Sequence, residues 1–209
     1  MNVLVGCEMS ARVRDAFRKR GHDAWSCDLL PTLGDPKWHM HIDVGRVISR
    51  HPSLIWGTDA QGVPKYWDLG IFFPPCTYLC SSGLHWNKRT PGRADKTEEA
   101  LEFVKLLMNA PIPRIAIENP IGCISSRIRK PDQIIQPWQF GHPESKATCL
   151  WLKGLPKLVP TDILPKPASG RWANQTPSGQ NKLGPSGNRA LLRGLTYPGI
   201  AEAMADQWS

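Results

Sequence analysis

The chain has 209 residues, with 26 Lys and Arg against 18 Asp and Glu, for a formal net charge of +8 at pH 7. That length fits one sizeable core better than two, and a basic surface favours polyanionic partners, nucleic acid first among them. No run approaches the ~20 apolar residues that cross a bilayer, the start "MNVLVGCEMSARVRDAF" lacks a signal-peptide pattern, and six cysteines without a secretory address point to a reducing compartment; the expectation is a soluble cytoplasmic protein with no membrane partner.

In chain order, "NVLVGC" is a short β-branched run that stops at Gly6, and "SARVRDAFRKRGH" follows with Val13, Ala16 and Phe17 spaced for one helical face. "DAWSCDLLP" predicts a second strand ending at Asp28. Strand, helix, strand implies a parallel pair joined by a right-handed crossover. "MHIDV" predicts a third strand near Asp43, and "DLGIFFPPC" a fourth that ends at the proline pair. "ADKTEEALEFVKLLMNA" is the strongest helical pattern, with Asp95 as cap, Glu98 completing a capping box, and Leu101, Val104 and Met108 on one face. "RIAIENP" predicts a fifth strand ending at Glu118.

Beyond Pro120 the alternation stops. "SKATCLWLKG" reads as one or two β segments, "KPASGRWANQTPSGQNKLGPSGN" as a polar loop, and "YPGIAEAMADQW" as a closing helix. The predicted fold class is α/β, with a mostly parallel, doubly wound sheet. Ligands of such sheets lie beyond the carboxyl ends of the strands. The predicted strand ends bring Gly6 and Cys7, Asp28, Asp43, Cys76 and Glu118 to one rim.

The first turn, "VGCEMSARV", has neither a GxGxxG fingerprint nor a GK[ST] phosphate loop, which argues against a pyrophosphate-bearing ligand. Asp28 sits where an acid would bind a cofactor's ribose, and equally where one would cap the turn before "LLP". Cys76 has three candidate roles. With Cys80 and the nearby His85 it has metal-like spacing, but the second short pair of a structural zinc site is missing. A nucleophile in a proline-stiffened turn and an inert buried thiol remain. Glu118, held at the end of a central strand, is desolvated enough to keep a proton near neutral pH and act as a general acid; the alternative is a cap or a salt bridge to Arg114.

"PPC" after the fourth strand and "ENP" after the fifth resemble the two central motifs of the DNA (cytosine-5) methyltransferases, especially the small phage and prophage members. The opening "VLVGCEMSARVRDAF" with "SCDLLP" is similar to their AdoMet-binding start, and "RGLTYPGIAEAMADQW" to their C-terminal segment. The resemblance implies a Rossmann-like AdoMet-dependent methyltransferase fold, with residues 1–209 as one catalytic domain and 121–195 as a loop-rich β and irregular region in place of a large target-recognition domain. It implies S-adenosyl-L-methionine as cofactor and DNA as partner, in a bacterial or phage-infected cell.

By the same resemblance Cys76 adds to carbon 6 of a flipped cytosine, Glu118 protonates or hydrogen-bonds ring nitrogen 3, and carbon 5 takes the methyl group. Asn119 orients Glu118, and Arg189 and Arg193 match the family's arginine motif near the base. Gly6, Cys7, Glu8 and Ser10 hold the methionine part of the cofactor, Asp28 its ribose and Asp43 its adenine, with Leu29 and Pro74 in the same set. Cys80 becomes a packing residue of the Cys76 loop. Two departures stand out: the usual Phe-x-Gly-x-Gly opening is Val5-Gly6-Cys7-Glu8-Met9, and Ala11 stands where relatives have glycine. Sequence recognition falls to the loops carrying Arg127, Arg129 and Lys130 or Arg171 to Arg189, or to an accessory partner; "SSRIRKP" either follows a phosphate backbone or is a solvated loop. The alternatives are RNA or a free nucleotide as substrate, transfer of another group, or a non-catalytic DNA-binding descendant.

Overall fold

Along the central strands successive side chains fall alternately into two apolar layers, as a sheet covered on both faces requires. Val3, Val5, Leu69, Ile71, Ala116 and Leu150 face one layer. Leu4, Phe72, Ile115, Ile117 and Trp151 face the other. The computed structural model describes residues 1–48, 66–178, 181–184, 186–187 and 189–209. Its sheet has seven strands in the order β3-β2-β1-β4-β5-β7-β6: β1 (Asn2–Gly6), β2 (Asp23–Asp28), β3 (His39–His41), β4 (Leu69–Phe72), β5 (Arg114–Pro120), β6 (Gln133–Ile135) and β7 (Thr148–Lys153). β7 runs antiparallel to both of its neighbours, and the other pairings are parallel.

The first layer is covered by α1 (Arg12–Lys19) and α7 (Pro198–Gln207), which supply Val13, Phe17, Ile200 and Met204. Arg20 ties the two together by 2.6 Å contacts to Glu202 and Asp206. The second is covered by α2 (Val44–Ile48) and α4 (Arg93–Met108) through Val44, Val47, Leu101, Val104 and Leu107. Short helices α3 (Ser81–Leu84), α5 (Ile124–Arg127) and α6 (Arg189–Gly194) lie in the connections. This is the doubly wound, Rossmann-like sheet the sequence predicts. Among the described residues no helix is long and apolar enough to cross a membrane.

Several local expectations need correction. α4 begins at Arg93, with Gly92 as its N-cap in the left-handed region (φ 72°) and no side-chain cap bond. The turn at Pro91-Gly92 admits the chain to the helix before Asp95 is reached, so Asp95 sits inside the first turn and Glu98 is bonded to Arg127. Asp43 lies past the end of β3 and leads into α2, accepting a 2.7 Å bond from the Gly45 amide. Beyond Pro120 the sheet continues: β6, which has no distinctive pattern in sequence, pairs with β7. Arg114 does not reach Glu118; it donates to the carbonyls of Asp68 (3.3 Å) and Trp208 (3.1 Å) at the other end of β5.

Candidate active site

β1, β2, β4 and β5 end side by side at Gly6, Asp28, Phe72 and Pro120. The Phe72 ring lies where a Cβ on either Gly6 or Gly70 would have to be, 2.5 Å and 2.7 Å from its nearest ring atoms, so β4 can end against β1 only with glycine at both positions. Phe73 still donates to the Gly6 carbonyl (3.0 Å). Pro74 and Pro75 then have no amide to offer and the ladder stops. The buried Asn119 side chain replaces it, its Nδ2 donating to the Pro74 carbonyl at 2.7 Å. One hydrogen bond thus fixes the end of β5 to the loop that presents Cys76.

Cys76 is exposed at the start of a tight turn whose carbonyl accepts from the Leu79 and Cys80 amides, both at 3.0 Å. The turn is anchored on two sides. Thr97 and Arg93 of α4 donate to the carbonyls of Tyr78 (3.1 Å) and Thr77 (2.9 Å). From the segment after β5, the Cys123 amide donates to the Leu79 carbonyl (2.8 Å), and Ser81 donates to Ile121 (3.0 Å). A Cβ at Gly122 would collide with the Leu79 carbonyl. Farther along the same loop Trp86 is 48 % exposed, with the Arg89 guanidinium 5.8 Å from its ring.

Cys80 lies one helical turn beyond Cys76, with its thiol 3.3 Å from the Ser82 hydroxyl. Electrostatic coupling to Cys76 first, then Ser82, the Gly83 amide and the Arg193 charge push the Cys80 thiol down. The same coupling, desolvation, and the charges of Cys80 and Glu118 push the Cys76 thiol up. Among the described residues no three His, Cys, Asp or Glu side chains converge as metal ligands.

Glu118 has its carboxyl withdrawn from water, and burial raises its pKa; Lys146 and the Thr148 hydroxyl pull it partly back. Both of those residues belong to the approach and start of β7, which the antiparallel pairing lays beside β5. The recess behind Glu118, lined by Phe73, Lys146, Thr148 and Tyr197 among others, is only about 20 Å3. That is room for roughly one water, so anything larger can reach Glu118 only from the open rim. Lys146 Nζ donates to the Arg193 carbonyl at 2.8 Å, which fixes the end of α6 over the site. A larger hollow of about 300 Å3, floored by Ile115, Ile117 and Trp151, opens on the α4 side and contains none of the rim residues.

On the other half of the rim, the β1–α1 turn is built on two non-glycine residues in the left-handed region, Cys7 (φ 58°) and Ala11 (φ 63°). Ala11 occupies a backbone conformation that glycine adopts without strain. Glu8 is 4 % exposed, and its carboxylate accepts from the amides of Val13 (2.8 Å) and Arg14 (3.3 Å) and from the Ser10 hydroxyl (2.9 Å). It fills the N-terminus of α1, the place where an anionic ligand would otherwise bind. Asp28 and Asp43 each use Oδ1 on a local amide, Leu30 (2.8 Å) and Gly45 (2.7 Å), which leaves the second oxygen for a ligand. Burial first, then these two carboxylates, raise the Cys7 thiol; the same causes push Cys27 up to about 12. Both acids therefore face the space at the ends of β1 and β2, beside Leu29, which is 67 % exposed.

The rim thus gathers Gly6, Cys7, Asp28, Leu29, Asp43, Pro74, Cys76, Glu118, Asn119 and Arg193. Glu8 and Ser10 turn inward as helix caps. Arg127 and Arg129 are directed elsewhere: Arg127 pairs with Glu98 on α4 (2.9 Å), and Arg129 with Asp132 (2.8 Å) and the Leu152 carbonyl (3.1 Å), near the start of β5. Lys130 is exposed beside them. Arg171 donates to the Pro177 carbonyl (3.3 Å) in a loop held by Trp172 stacked on Trp138, ring centroids 5.9 Å apart. Arg189 opens α6, one turn before Arg193. Lys146, Thr148 and the Cys80 thiol were not singled out by sequence for the site; the first two reach Glu118 only through the antiparallel strand.

The chain matches no protein-family model and no curated protein. Among solved structures it is similar to a DNA modification methyltransferase encoded within a prophage of E. coli (TM-score 0.46, 15 % identity, covering 79 % of this chain and 52 % of that one). It is likewise similar to the S. pombe Dnmt2 methyltransferase (TM-score 0.46, 17 % identity, 75 % and 51 %) and to the Entamoeba histolytica methyltransferase EhMeth (TM-score 0.44, 15 % identity, 78 % and 57 %). The chain spans about half the length of these structures.

Proposed function

We propose that this chain transfers a methyl group from S-adenosyl-L-methionine to carbon 5 of cytosine in DNA, through a covalent adduct with Cys76 on a base flipped out of the duplex. The observation that carries the reading is an exposed thiol beside a carboxyl whose pKa burial raises: Cys76 and Glu118 sit on adjacent strand ends, joined through the Asn119 to Pro74 hydrogen bond. Cytosine carbon 5 is a poor nucleophile. Addition of the Cys76 sulfur to carbon 6, its S–H proton leaving to water at the rim while Glu118 gives its own proton to nitrogen 3, turns the 5,6 double bond into an enamine that is reactive at carbon 5. Once carbon 5 carries the methyl group, its proton leaves to water at the open rim, the nitrogen-3 proton returns to Glu118, and the carbon–sulfur bond breaks with its electron pair on Cys76, which restores the ring.

The residues at the ends of β1 and β2 suit this cofactor. Two carboxylates with an oxygen to spare match a ribose diol and an adenine amine, exposed Leu29 offers an apolar face, and Glu8 closes the N-terminus of α1 to phosphate. Asp28, Asp43, Leu29, Pro74 and the backbone of Gly6 and Cys7 would hold it, and Glu8 and Ser10 would act by shaping that turn. Bound there, S-adenosyl-L-methionine supplies an electrophilic methyl group on a sulfonium. Arg193, Arg189 and the Trp86 and Arg89 edge of the Cys76 loop form the face for nucleic acid, where a cation meets phosphate and an exposed ring stacks on a base. Arg171, Arg127, Arg129 and Lys130 lie farther from the thiols and contribute sequence-independent attraction.

The test is incubation of the full chain with S-adenosyl-L-methionine and duplex DNA carrying 5-fluorocytosine. The fluorine blocks the elimination step, so a covalent complex is expected, and it should be lost in Cys76→Ser. Absence of the complex together with absence of 5-methylcytosine from ordinary DNA would overturn the reading. An adduct with RNA or a free nucleotide in place of DNA would reassign the substrate.

A further inference from the structure

Two histidines on β3 hold the chain just after Asp28, and no step described above uses them. β3 lies parallel to β2 with His39 opposite Ser26 and His41 opposite Asp28, so both imidazoles stand on the same face of the sheet as Asp28. Each reaches the backbone of the following loop: His39 Nε2 donates to the Leu30 carbonyl (3.0 Å) and His41 Nε2 to the Leu29 carbonyl (2.7 Å). A carbonyl only accepts, so Nε2 carries a hydrogen in both rings. Nδ1 of a neutral His39 is then an acceptor, and the Ser26 hydroxyl, 2.8 Å away, donates to it. The same hydroxyl accepts (3.2 Å) from Nη1 of Arg14, a fully buried guanidinium that also donates to the Asp35 carbonyl (2.9 Å) at the far end of the loop. From the β1–α1 turn, the Met9 carbonyl accepts from the Leu33 amide (2.8 Å) and the Thr32 hydroxyl (3.1 Å). The leucines of this loop, Leu29, Leu30 and Leu33, are all exposed. Little apolar burial seats the loop, so its course depends on these polar bonds.

We infer that His39 and His41 are the positioning residues of the cofactor edge: their imidazoles fix the backbone at Leu29 and Leu30, and with it the direction of the Asp28 carboxylate and the Leu29 side chain. The inference rests on the proposed S-adenosyl-L-methionine site. Asp28 does not hold its own direction, because its Oδ1 bonds to the Leu30 amide and moves with the loop. Both Nε2 groups donate whether or not the rings are protonated; the element that depends on pH is Nδ1 of His39. A second proton has to go there, where the Ser26 hydroxyl already points its hydrogen, and it sets a cation close to buried Arg14. Burial first, then the charges of Arg14 on α1 and His41 on β3, hold the His39 pKa below its ordinary value, against the pull of the Leu30 carbonyl and of Asp28 on β2. The neutral ring is the resting form, and the clamp is complete at neutral pH. As pH falls through the His39 pKa, below about 6.5, the Ser26 bond is lost, the loop loosens, and cofactor affinity drops.

Binding and loop order are read separately, on the full chain and without turnover. The affinity for S-adenosyl-L-homocysteine, measured by titration calorimetry at about pH 7.5, is expected to fall about tenfold in His39→Phe and in His41→Phe, as for a loop that keeps its binding conformation about a tenth of the time. His39→Gln and His41→Gln, whose side-chain amide donates to the same carbonyl, should each recover most of the loss. In the unaltered chain the affinity should fall between about pH 7.5 and about pH 5; the fall should vanish in His39→Gln, which has nothing to titrate there, and persist in His41→Gln. Hydrogen exchange of the Leu30 and Leu33 amides, followed without ligand, should quicken in both Phe variants by a similar factor. The His39→Gln profile reads the same effect if a Phe variant does not fold. Unchanged affinity in the folded Phe variants, or an acid fall that persists in His39→Gln, would overturn the inference. Quickened exchange in the variants, with no S-adenosyl-L-homocysteine bound by the unaltered chain, would support the clamp and remove the cofactor reading. Equally tight binding by the unaltered chain and all four variants would do the reverse.

Discussion

Glu8 and Glu118 are both acids at the carboxyl edge of one sheet, and burial raises the pKa of both. They differ in what answers the charge. Glu8 has two backbone amides of α1 and the Ser10 hydroxyl directed at its oxygens; Glu118 has the Thr148 hydroxyl and the more diffuse attraction of Lys146. A carboxylate surrounded by fixed amides is a structural part, since moving it would orphan the donors. One with a single hydroxyl and a lysine nearby has its pKa raised with fewer groups to hold its charge, as the proposed general acid requires. The difference separates the two halves of the rim into a built turn and the proposed reactive pair.

The comparison can be broken in four ways, taken from the largest expected effect. Glu118→Gln should leave the fold intact and lower methyl transfer by about 10²–10⁴-fold, the usual contribution of a general acid, measured as 5-methylcytosine formed. Its effect on stability has a definite sign. Because the folded pKa of Glu118 lies above its unfolded value, its contribution to stability is fully present at acid pH and is lost as pH rises through the folded value. Glutamine does not titrate, so the Tm of the variant minus that of the parent should grow with pH; a constant difference would contradict the burial of Glu118.

Glu8→Ala should lower stability by about 1–3 kcal/mol, the loss expected when buried amides are left without an acceptor, followed by chemical denaturation. A loss well under that would mean that water replaces the carboxylate and that Glu8 is no more built in than Glu118. Lys146→Met sharpens the other side. Lys146 lowers the Glu118 pKa, so its removal should shift the alkaline limb of the rate-against-pH profile upward, with little change in Tm; an unmoved limb would show that Lys146 does not act through Glu118. Smallest is Ala11→Gly, which relieves a left-handed alanine (φ 63°) and should add about 1 kcal/mol, a rise of roughly 2–4 °C in Tm for a chain of this size. A fall in Tm would mean that the buried Ala11 methyl contributes more than its backbone strain removes.

The half of the chain up to Pro120 was legible because its central strands are short and apolar and end at or next to glycine or proline: β1 at Gly6, β4 before Pro74-Pro75, and β5 at Pro120, two residues past the predicted end at Glu118. Strand ends in a parallel sheet converge by topology, so naming the ends named most of the rim. The rest depends on contacts that no local pattern announces. β6 is three residues, Gln133–Ile135, recognisable only by its pairing with β7. Lys146 reads as a surface lysine until the antiparallel strand carries it to Glu118. Arg127 and Arg129 read as followers of a phosphate backbone or as a solvated loop, and their ion pairs to Glu98, on a helix far back in sequence, and to Asp132 are not announced by either reading. Glu8 was placed with the cofactor because its position was right, but its side chain is turned toward α1. Cys80 reads as a packing residue of the Cys76 loop, and the turn that sets it one helical turn beyond Cys76 is fixed by amide bonds that spacing alone does not reveal.

Gly122 has no chemistry of its own, yet it determines how tolerant the thiol loop is to change. Because the Leu79 carbonyl occupies the space of its missing side chain, and because Asn119 grips Pro74 only a few residues earlier, the loop after β4 and the loop after β5 form one mechanical part held at two points. Neither can swing open alone. A substituent at Gly122 would therefore act at a distance, tilting Cys76 away from Glu118 with no charged or nucleophilic group altered, and screens for inactive variants should recover this glycine alongside the reactive residues themselves.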